Sequence, residues 1–484
     1  MRALALLLLA TTGCGSDDAP EPLPSDNAPC AAAAAQGNPL GVHCGELVDT
    51  AGRVVYLRGV NARVEGVFDV TFDDGRTPLE QIPAFDAADA TAMRDFGFDA
   101  LRLPVSWSGI EPTADGGLSE SYLAKVDGAV AAAASAGLQV LIDFHQDAYS
   151  KEIGEDGAPL WAISPPPTQL LEGPLTDLED RRLSKQVLDA FETFFGDGAK
   201  GSELRQRFAS MTEQVAARYA DDPTVIGFEI FNEPQATDDG VARLNSEAYP
   251  RMRVAAPGKL YLFEPPVTRN FTDASSLAEA PLGPMTGYSP HVYTLAFVGS
   301  DADKQAMTKE TLRRSNENAR TEADSWSAPL VITEWGYDPN GIQAENYFRW
   351  QSELEEEYRA SSFFWVWKEQ SQGHWGCFDY DGSFHQRESV KRALARVRPA
   401  AVAGWPKSFS YDASSGVMTL SFSGNPRVSA PHRIAVAPVL GTPISAECDG
   451  ASVSFTDAGS GVFEVGCGKG SSAEHQLVVR VTPL

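Results

Sequence analysis

The stretch Gly227-Phe-Glu-Ile-Phe-Asn-Glu-Pro234 is a β-type run that stops on a carboxylate, Glu233. A second stretch of the same kind, Val331-Ile-Thr-Glu-Trp-Gly336, stops on Glu334. When a strand ends in an acidic residue and a turn follows, the carboxylate lies at the rim of the sheet or barrel. Both glutamates are therefore expected at one rim, although each alone could be a solvated residue at a strand end.

Strand-like runs alternate with helical ones from about residue 46 to residue 398, which predicts an α/β fold. Eight such strands predict a (β/α)8 TIM barrel, whose active site lies at the carboxyl ends of the strands. On that count Glu233 ends strand four and Glu334 ends strand seven. The predicted strands are Val54–Val60, Ala100–Pro104, Leu138–Phe144, Val225–Phe231, Leu260–Phe263, Met285–Tyr288, Leu330–Thr333 and Ser362–Val366.

Two carboxylates at the rim of a barrel are what hydrolysis of a glycosidic bond requires. One serves as proton donor and the other as nucleophile or base. The insertions at 61–85 and 148–183 follow strands one and three, so they are expected to shape a cleft over this face. Trp161, Leu170 and Phe68 in these insertions would suit an apolar slot.

Residues 399–484 change to alternating apolar and polar residues with Gly, Ser and Asn turns. This pattern predicts a small C-terminal antiparallel β-sandwich that packs against the barrel. No motif in it indicates chemistry.

The N-terminus reads as a targeting segment, with Arg2, an apolar core and small residues before Cys14. Residues 1–14 resemble a lipoprotein signal peptide in which Cys14 would become lipidated, although Thr11 departs from that pattern. Residues 15–45 form a flexible tether that leads to the first strand. We therefore expect export, either as a bacterial lipoprotein on the cell envelope or by plain secretion.

Export permits disulfides, and the spacing predicts Cys30 with Cys44 and Cys448 with Cys467. Cys377 is left over, and no base is arranged to make it a nucleophile. No metal-ligand spacing and no phosphate-binding glycine loop stands out, so neither a metal nor a cofactor is expected.

The charge of the chain excludes two classes of partner. With 39 basic and 66 acidic residues the net charge is −27, which disfavours nucleic acid and anionic membrane surfaces. Membrane contact is expected only through an N-terminal lipid anchor or a lipid substrate. The sequence does not indicate an oligomeric state.

Further motifs in the same order as the two glutamates resemble glycoside hydrolase family 5. They are Leu101-Arg-Leu-Pro104, Asn232-Glu233-Pro234, His291-Val-Tyr293 and Phe364-Trp-Val-Trp367. Within that family, Asp143-Phe-His-Gln-Asp-Ala-Tyr-Ser150 is similar to the endoglycoceramidase branch. Glu65 stands where that branch tends to have a lysine.

The resemblance implies a retaining β-glycosidase with Glu233 as acid/base and Glu334 as nucleophile. The charge of Glu334 is expected to keep Glu233 protonated. The resemblance also implies supporting roles in holding Glu334, binding sugar hydroxyls and stacking under the sugar ring. The residues that would take these roles are Arg102, Tyr293, Asn232, His145, Asp147, His291 and Trp367.

The expected substrate is a glycolipid or another β-glucoside. The alternatives in the same family are an endo-β-glucanase (cellulase) and a β-glucosidase that acts on steryl glucosides. A carbohydrate-binding protein on a disabled barrel would have lost one carboxylate, whereas both are present here.

Overall fold

Eight short apolar runs form parallel strands that close into a barrel, as a computed structural model of residues 39–275, 277, 283–370 and 375–483 shows. Each strand lies beside the next one along the chain, and strand eight pairs with strand one. The predicted (β/α)8 barrel is confirmed. The strands are Arg58–Asn61, Ala100–Ser106, Gln139–His145, Val225–Glu229, Leu260–Phe263, Thr286–Tyr288, Val331–Trp335 and Ser361–Phe364.

Strand six is interrupted and so closes the barrel in two pieces. Thr286–Tyr288 pairs with strand five, and after a two-residue break His291–Val292 pairs with strand seven. In that second piece His291 lies directly opposite Glu334. The interruption therefore brings the predicted strand-six histidine beside the predicted nucleophile.

Helices follow the strands and cover the outside of the barrel. The first begins where the Asp86 carboxylate accepts from two backbone amides, and it ends at Gly97, whose φ is 94°. The α-helices are Ala87–Phe96, Trp107–Ile110, Glu120–Ser135, Leu178–Arg182, Lys185–Phe195, Ala199–Arg218, Asp238–Ala255, Arg269–Thr272, Asp301–Ala306, Lys309–Ser325, Ala344–Glu357 and Glu388–Leu394. Among the described residues none of these helices is long and apolar enough to cross a bilayer.

The C-terminal region forms two antiparallel sheets that enclose an apolar core of their own. A separate hairpin, Phe378–Tyr380 with Phe384–Gln386, lies after strand eight. One sheet contains Leu40–His43, Glu46–Asp49, Val54–Val55, Val397–Val402, His432–Val436, Val462–Val465 and Phe455–Asp457. The other contains Gly404–Asp412, Val417–Gly424, Glu474–Arg480, Ser445–Cys448 and Ala451–Val453.

The predicted start of the barrel at 46 differs from the structure, because residues 40–55 belong to the sandwich. Val54–Val55 pairs antiparallel with Ala401–Val402, so the barrel begins only at Arg58. The other boundary falls inside the strand Val397–Val402. The partner of this N-terminal segment lies far away in the chain, and a local pattern carries no information about such a pairing.

Buried ion pairs join the sandwich to the barrel. Arg396 bonds both carboxylate oxygens of Glu356 at 2.7 Å, and Arg398 pairs with Asp99. The predicted disulfide between Cys448 and Cys467 is present, with an S–S distance of 2.00 Å. Cys14 and Cys30 lie outside the described residues, so the lipidation and the Cys30–Cys44 pairing stay predictions.

Candidate active site

Glu233 and Glu334 meet at the carboxyl end of the barrel. Strand four ends at Glu229, and the chain turns so that Glu233 adopts a left-handed φ of 42°. Glu334 lies within strand seven. A carboxylate oxygen of each lies within 4.8 Å of the other and of a His291 nitrogen. Retaining glycosidases hold their carboxyls about 5 Å apart and inverting ones about 6.5–9.5 Å, so this spacing fits direct nucleophilic attack by one carboxylate.

Glu334 is held at both oxygens. Arg102 Nη1 donates to Oε1 at 2.6 Å and the Tyr293 hydroxyl donates to Oε2 at 2.8 Å. Burial raises the pKa of Glu334, and the charges of His291 and Arg102 oppose that rise. The two donors fix the carboxylate where the resemblance placed a nucleophile.

Arg102 itself lies in a buried network and has no exposed side-chain surface. Besides Glu334 it contacts carboxylates and amides at the ends of neighbouring strands. These partners are Glu229 at 2.6 Å, Asn232 at 2.7 Å, Asn61 at 2.8 Å and Asp143 at 3.0 Å. One guanidinium therefore links side chains from strands one, three, four and seven around the nucleophile.

Glu233 is held by His291 and Asn270. His291 Nδ1 lies 2.8 Å from Glu233 Oε1, and Asn270 Nδ2 donates to the same oxygen at 2.7 Å. Burial raises the pKa of Glu233, but the hydrogen bond and charge of His291 outweigh burial and lower the pKa to about 2. The proton affinity of Glu233 therefore depends on His291 as well as on the charge of Glu334.

The charge on His291 has its own cause. Burial lowers the pKa of His291, but the carboxylates of Glu264 and Glu334 outweigh burial and raise the pKa well above its usual value. Once Glu334 is esterified to a sugar, one of these two charges is gone and the pKa of His291 falls. The proton affinity of the pair is thus coupled to the state of the nucleophile.

Asn232 and His145 lie beside the catalytic pair. Asn232 is 2% exposed, accepts from Arg102 and donates to the Gln146 carbonyl at 3.1 Å. His145 Nδ1 lies 2.5 Å from Asp143 Oδ2. Burial lowers the pKa of His145, yet the Asp143 charge outweighs it and raises the pKa to about 9. His145 is therefore a cation at the cleft, suited to bind a hydroxyl oxygen.

Asp147 is partly exposed and is paired with an arginine. Arg182 Nε donates to it at 2.8 Å, and Nη2 of the same guanidinium contacts its other oxygen. The pair fastens the insertion after strand three to the rim of the barrel. It also brings the positive charge of Arg182 close enough to lower the pKa of Glu233.

Trp367 is buried, so its predicted role as a sugar platform is wrong. Its side chain is 1% exposed, its Nε1 donates to Asp89 at 3.0 Å, and its ring packs on Phe378 at 4.8 Å. Strand eight stops at Phe364, so the alternation of a strand does not extend to position 367.

Trp365 is the tryptophan at the cleft. It is partly buried, and its ring stacks on His145 with centroids 5.9 Å apart and planes 12° apart. A Cβ at position 336 would lie 2.6 Å from the Trp365 carbonyl oxygen, so Gly336 allows this close approach. Trp365 therefore takes the place that the sequence assigned to Trp367.

These two tryptophans make a matched pair for mutation. Trp365→Ala is expected to lower kcat/KM by about 10-fold or more, because ring stacking on the sugar is lost. Its free energy of unfolding should change little. Trp367→Ala should instead destabilise the fold by about 3–5 kcal/mol, the cost of emptying a buried tryptophan site. Steady-state kinetics and urea unfolding measure both; a kinetic loss confined to Trp367→Ala would contradict the assignment.

Several residues of the site were not predicted from the sequence motifs. Glu229 lies inside the quoted stretch, Glu264 follows the apolar strand five, and Asn270 lies on the short helix after that strand. The rule that polar residues at strand ends collect on one face would have found Glu264. Asn270 had no such signal, because its contact with Glu233 depends on the path of a loop.

The geometry defines a glycoside hydrolase that acts through two carboxylates. The sequence model of the family "Cellulase (glycosyl hydrolase family 5)" matches residues 80–371. The match covers more than half of the chain, which belongs to glycosyl hydrolase family 5. It is a retaining enzyme, as the family and the carboxylate spacing both require.

Among curated proteins, the chain is 27% identical over 412 residues to endoglycoceramidase I of Rhodococcus hoagii, covering 78% of this chain and 75% of the relative. It is 26% identical over 224 residues to an endoglycoceramidase of Cyanea nozakii, covering 40% of this chain and 41% of the relative. Among solved structures, endo-glycoceramidase II from Rhodococcus sp. superposes with a TM-score of 0.75 at 25% identity, over 90% of this chain and 100% of that one.

Proposed function

We propose that this enzyme hydrolyses the β-glycosidic bond between a glycan and the ceramide of a glycolipid and releases the glycan intact. The curated relative matched over most of its length is an endoglycoceramidase, and the match covers 75% of that protein. The observation that carries the proposal is a groove with an apolar wall, next to the loop that follows the acid/base.

The groove has a volume of about 540 Å³ and lies between the helix Lys185–Phe195 and the loops after strands four and five. Leu188, Phe191 and Phe195 form an apolar wall on one side, and Ala236 and Val267 lie on the other. The rest of the lining includes the polar side chains of Glu192, Asp197, Gln235, Thr237, Arg243 and Thr268. The leaving group departs on the side of the residue that protonates it. A groove that begins at Gln235, two residues from Glu233, is therefore placed to receive an apolar aglycone.

Exposed apolar side chains surround the same end of the barrel. They lie in the loops after strands three, five and six, and exposed apolar patches of this kind mark surfaces that bind a partner or ligand. They are Leu160, Leu170, Leu183, Phe271 and Phe297. Of the slot residues expected from the sequence, Leu170 is exposed, whereas Phe68 is buried against His145 and Trp161 packs on Trp107.

The reaction proceeds as a double displacement. Glu334 attacks the anomeric carbon, the bond from that carbon to the lipid oxygen breaks, and the oxygen takes a proton from Glu233, which lies 2.8 Å from His291. Water then attacks the glycosyl ester and gives one proton back to Glu233. Glu334 is released as a carboxylate, and the sugar leaves with its β configuration retained.

The test is product analysis after incubation with lactosylceramide, a steryl glucoside and soluble carboxymethylcellulose, with Glu233→Gln as the inactive control. Intact lactose and free ceramide are the expected products. Cleavage of cellulose alone would contradict the proposal and place the enzyme among endo-β-glucanases. Cleavage of the steryl glucoside alone would contradict it in favour of a steryl β-glucosidase.

A matched pair of surface variants tests the groove. Leu188 is 40% exposed in the groove, whereas Val254 is 81% exposed on the helix Asp238–Ala255 and does not line it. Leu188→Asp should raise KM for lactosylceramide about 10-fold without changing KM for a soluble aryl lactoside, because it puts a charge where the lipid binds. Val254→Asp should change neither value. Equal effects of the two variants would contradict the role of the groove.

We also propose that the chain is exported and attached to a membrane through Cys14. The support is the pattern of residues 1–14, together with a lipid substrate that resides in membranes. Cys14→Ala should move the protein from the membrane fraction of the cell to the soluble or secreted fraction. An unchanged distribution would contradict lipidation.

A further inference from the structure

Glu264 is a third buried carboxylate beneath the catalytic pair, and double displacement by itself gives it no part. It directly follows the apolar strand Leu260–Phe263, and it is 4% exposed. A buried carboxylate is costly unless its oxygens are bonded. The contacts of the two oxygens therefore indicate what this residue does.

The first oxygen holds the backbone of the acid/base. Glu264 Oε2 accepts from the Glu233 amide at 3.0 Å. Glu233 has a φ of 42°, a left-handed conformation that is unfavourable for a residue with a side chain. The bond from Glu264 helps to hold the chain in this conformation, which aims the Glu233 carboxyl at the cleft.

The second oxygen faces the far side of His291. Glu264 Oε1 lies 3.4 Å from His291 Nε2, and within the described part of the chain neither buried atom has a hydrogen-bond partner that meets ordinary geometry. On the near side, His291 Nδ1 lies 2.8 Å from Glu233. The imidazole is thus bracketed by two carboxylates from strands four and five.

The other nearby cation is already engaged. Arg102 Nη2 lies 3.7 Å from Glu264, but that guanidinium donates to Glu229, Glu334, Asn61 and Asn232 at 2.6–2.8 Å. Burial raises the pKa of Glu264 to about 8, and the charges of His291 and Arg102 oppose that rise. His291 is therefore the cation best placed to keep Glu264 ionised.

We propose that Glu264 is a positioning residue for the acid/base step, which anchors the Glu233 amide and orients His291 so that the catalytic proton stays between His291 and Glu233. The inference rests on the glycosidase activity and not on the identity of the lipid. In each turnover one proton passes from the pair to the leaving oxygen, and one returns from the attacking water. Glu264 neither gains nor loses a proton.

Several charged or titratable groups besides Glu264 lie around His291. Arg269 also donates to the His291 carbonyl at 3.0 Å. The others are Glu229, Glu233, Glu334, Arg102 and Tyr293. Because they remain in a Glu264 variant, any shift in pH dependence reports the loss of this one carboxylate.

The test is Glu264→Gln, which keeps an oxygen for the Glu233 amide but removes the charge that faces His291. Phenyl β-lactoside needs protonation of its leaving group, whereas 2,4-dinitrophenyl β-lactoside does not. We expect kcat/KM to fall about 100-fold on the phenyl substrate, the range of general acid catalysis, and to stay within about threefold on the dinitrophenyl one. The alkaline limb of the pH profile should move to lower pH by about one unit, because His291 holds its proton less tightly.

Glu355→Gln is the matched control, since Glu355 is fully buried but bonds Ser362 and Arg58 away from the cleft. It should leave the ratio of the two substrates and the pH profile unchanged. Glu264→Asp, which keeps the charge, should restore the alkaline limb and also serves if the Gln variant fails to fold.

Equal losses on both aryl substrates with an unchanged pH profile would overturn the inference, because that is the signature of a purely structural residue. Aryl lactosides carry no lipid. Failure here is therefore separate from failure of the glycolipid proposal, which the lactosylceramide assay decides.

Discussion

Replacement of Glu334 by alanine is expected to lower hydrolysis by at least about 10⁴-fold, because the group that forms the glycosyl-enzyme bond is gone. Azide should restore turnover of 2,4-dinitrophenyl β-lactoside, since the removed side chain leaves room for a small anion at the anomeric carbon. The product should be the α-lactosyl azide, because a single displacement inverts the β configuration. Product configuration by NMR measures this directly.

The control is Glu345→Ala, which removes an exposed glutamate at the start of the helix Ala344–Glu357. It should leave hydrolysis unchanged and yield no glycosyl azide. Formation of β-lactosyl azide by the Glu334 variant would contradict the assignment, since it would mean that a nucleophile other than Glu334 had formed the intermediate.

Arg102→Met is expected to damage both stability and activity. The side chain is fully buried and bonds three carboxylates, those of Glu229, Glu334 and Asp143. Removal of one partner from a buried ionic network costs about 3–5 kcal/mol, because the remaining charges are left uncompensated. Activity should fall as well, since the pKa of Glu334 rises when its cation is lost and the acid limb of kcat/KM moves to higher pH.

Arg205→Met separates these two effects. Arg205 is also buried, but it bonds Glu247 and the carbonyls of Phe194 and Gly196 on the outer helices. It should destabilise the fold, as measured by urea unfolding, without moving the pH profile of activity. An Arg102 variant that resembles it in both respects would show that Arg102 acts on stability alone.

Much of the barrel could be predicted from sequence because it depends on local patterns. Short apolar runs followed by polar residues mark the strand ends, and the barrel brings those ends together. That rule placed Glu233 and Glu334 at one rim, and the resemblance to glycoside hydrolase family 5 added Arg102, His291 and Tyr293.

The remaining features depend on contacts that no local pattern contains. The strands in residues 40–55 join the sandwich by pairing with residues near 400, far away in the chain. Whether Asp147 faces the cleft depends on Arg182, which an insertion supplies. Trp365 and Trp367 are both aromatic residues after strand eight, and only the exact end of the strand decides which of them reaches the sugar.

The same limit applies to the proton affinity of Glu233. The prediction from sequence treats the two glutamates as an isolated pair, in which the negative charge of Glu334 keeps Glu233 protonated. The structure adds His291 between Glu233 and Glu264, so the proton affinity of Glu233 depends on the imidazole as well. The acid/base is therefore a pair of groups, which strand-end motifs alone do not reveal.

The configuration of the sugar first released by the unmodified enzyme tests the role of Glu334 most directly. Hydrolysis of an aryl β-lactoside, followed by proton NMR from the first minutes, reports which anomer of lactose appears before mutarotation. We predict the β anomer, because attack by Glu334 and then by water each inverts the configuration at the anomeric carbon once. Initial release of the α anomer would mean a single displacement by water and would contradict the assignment of Glu334 as nucleophile.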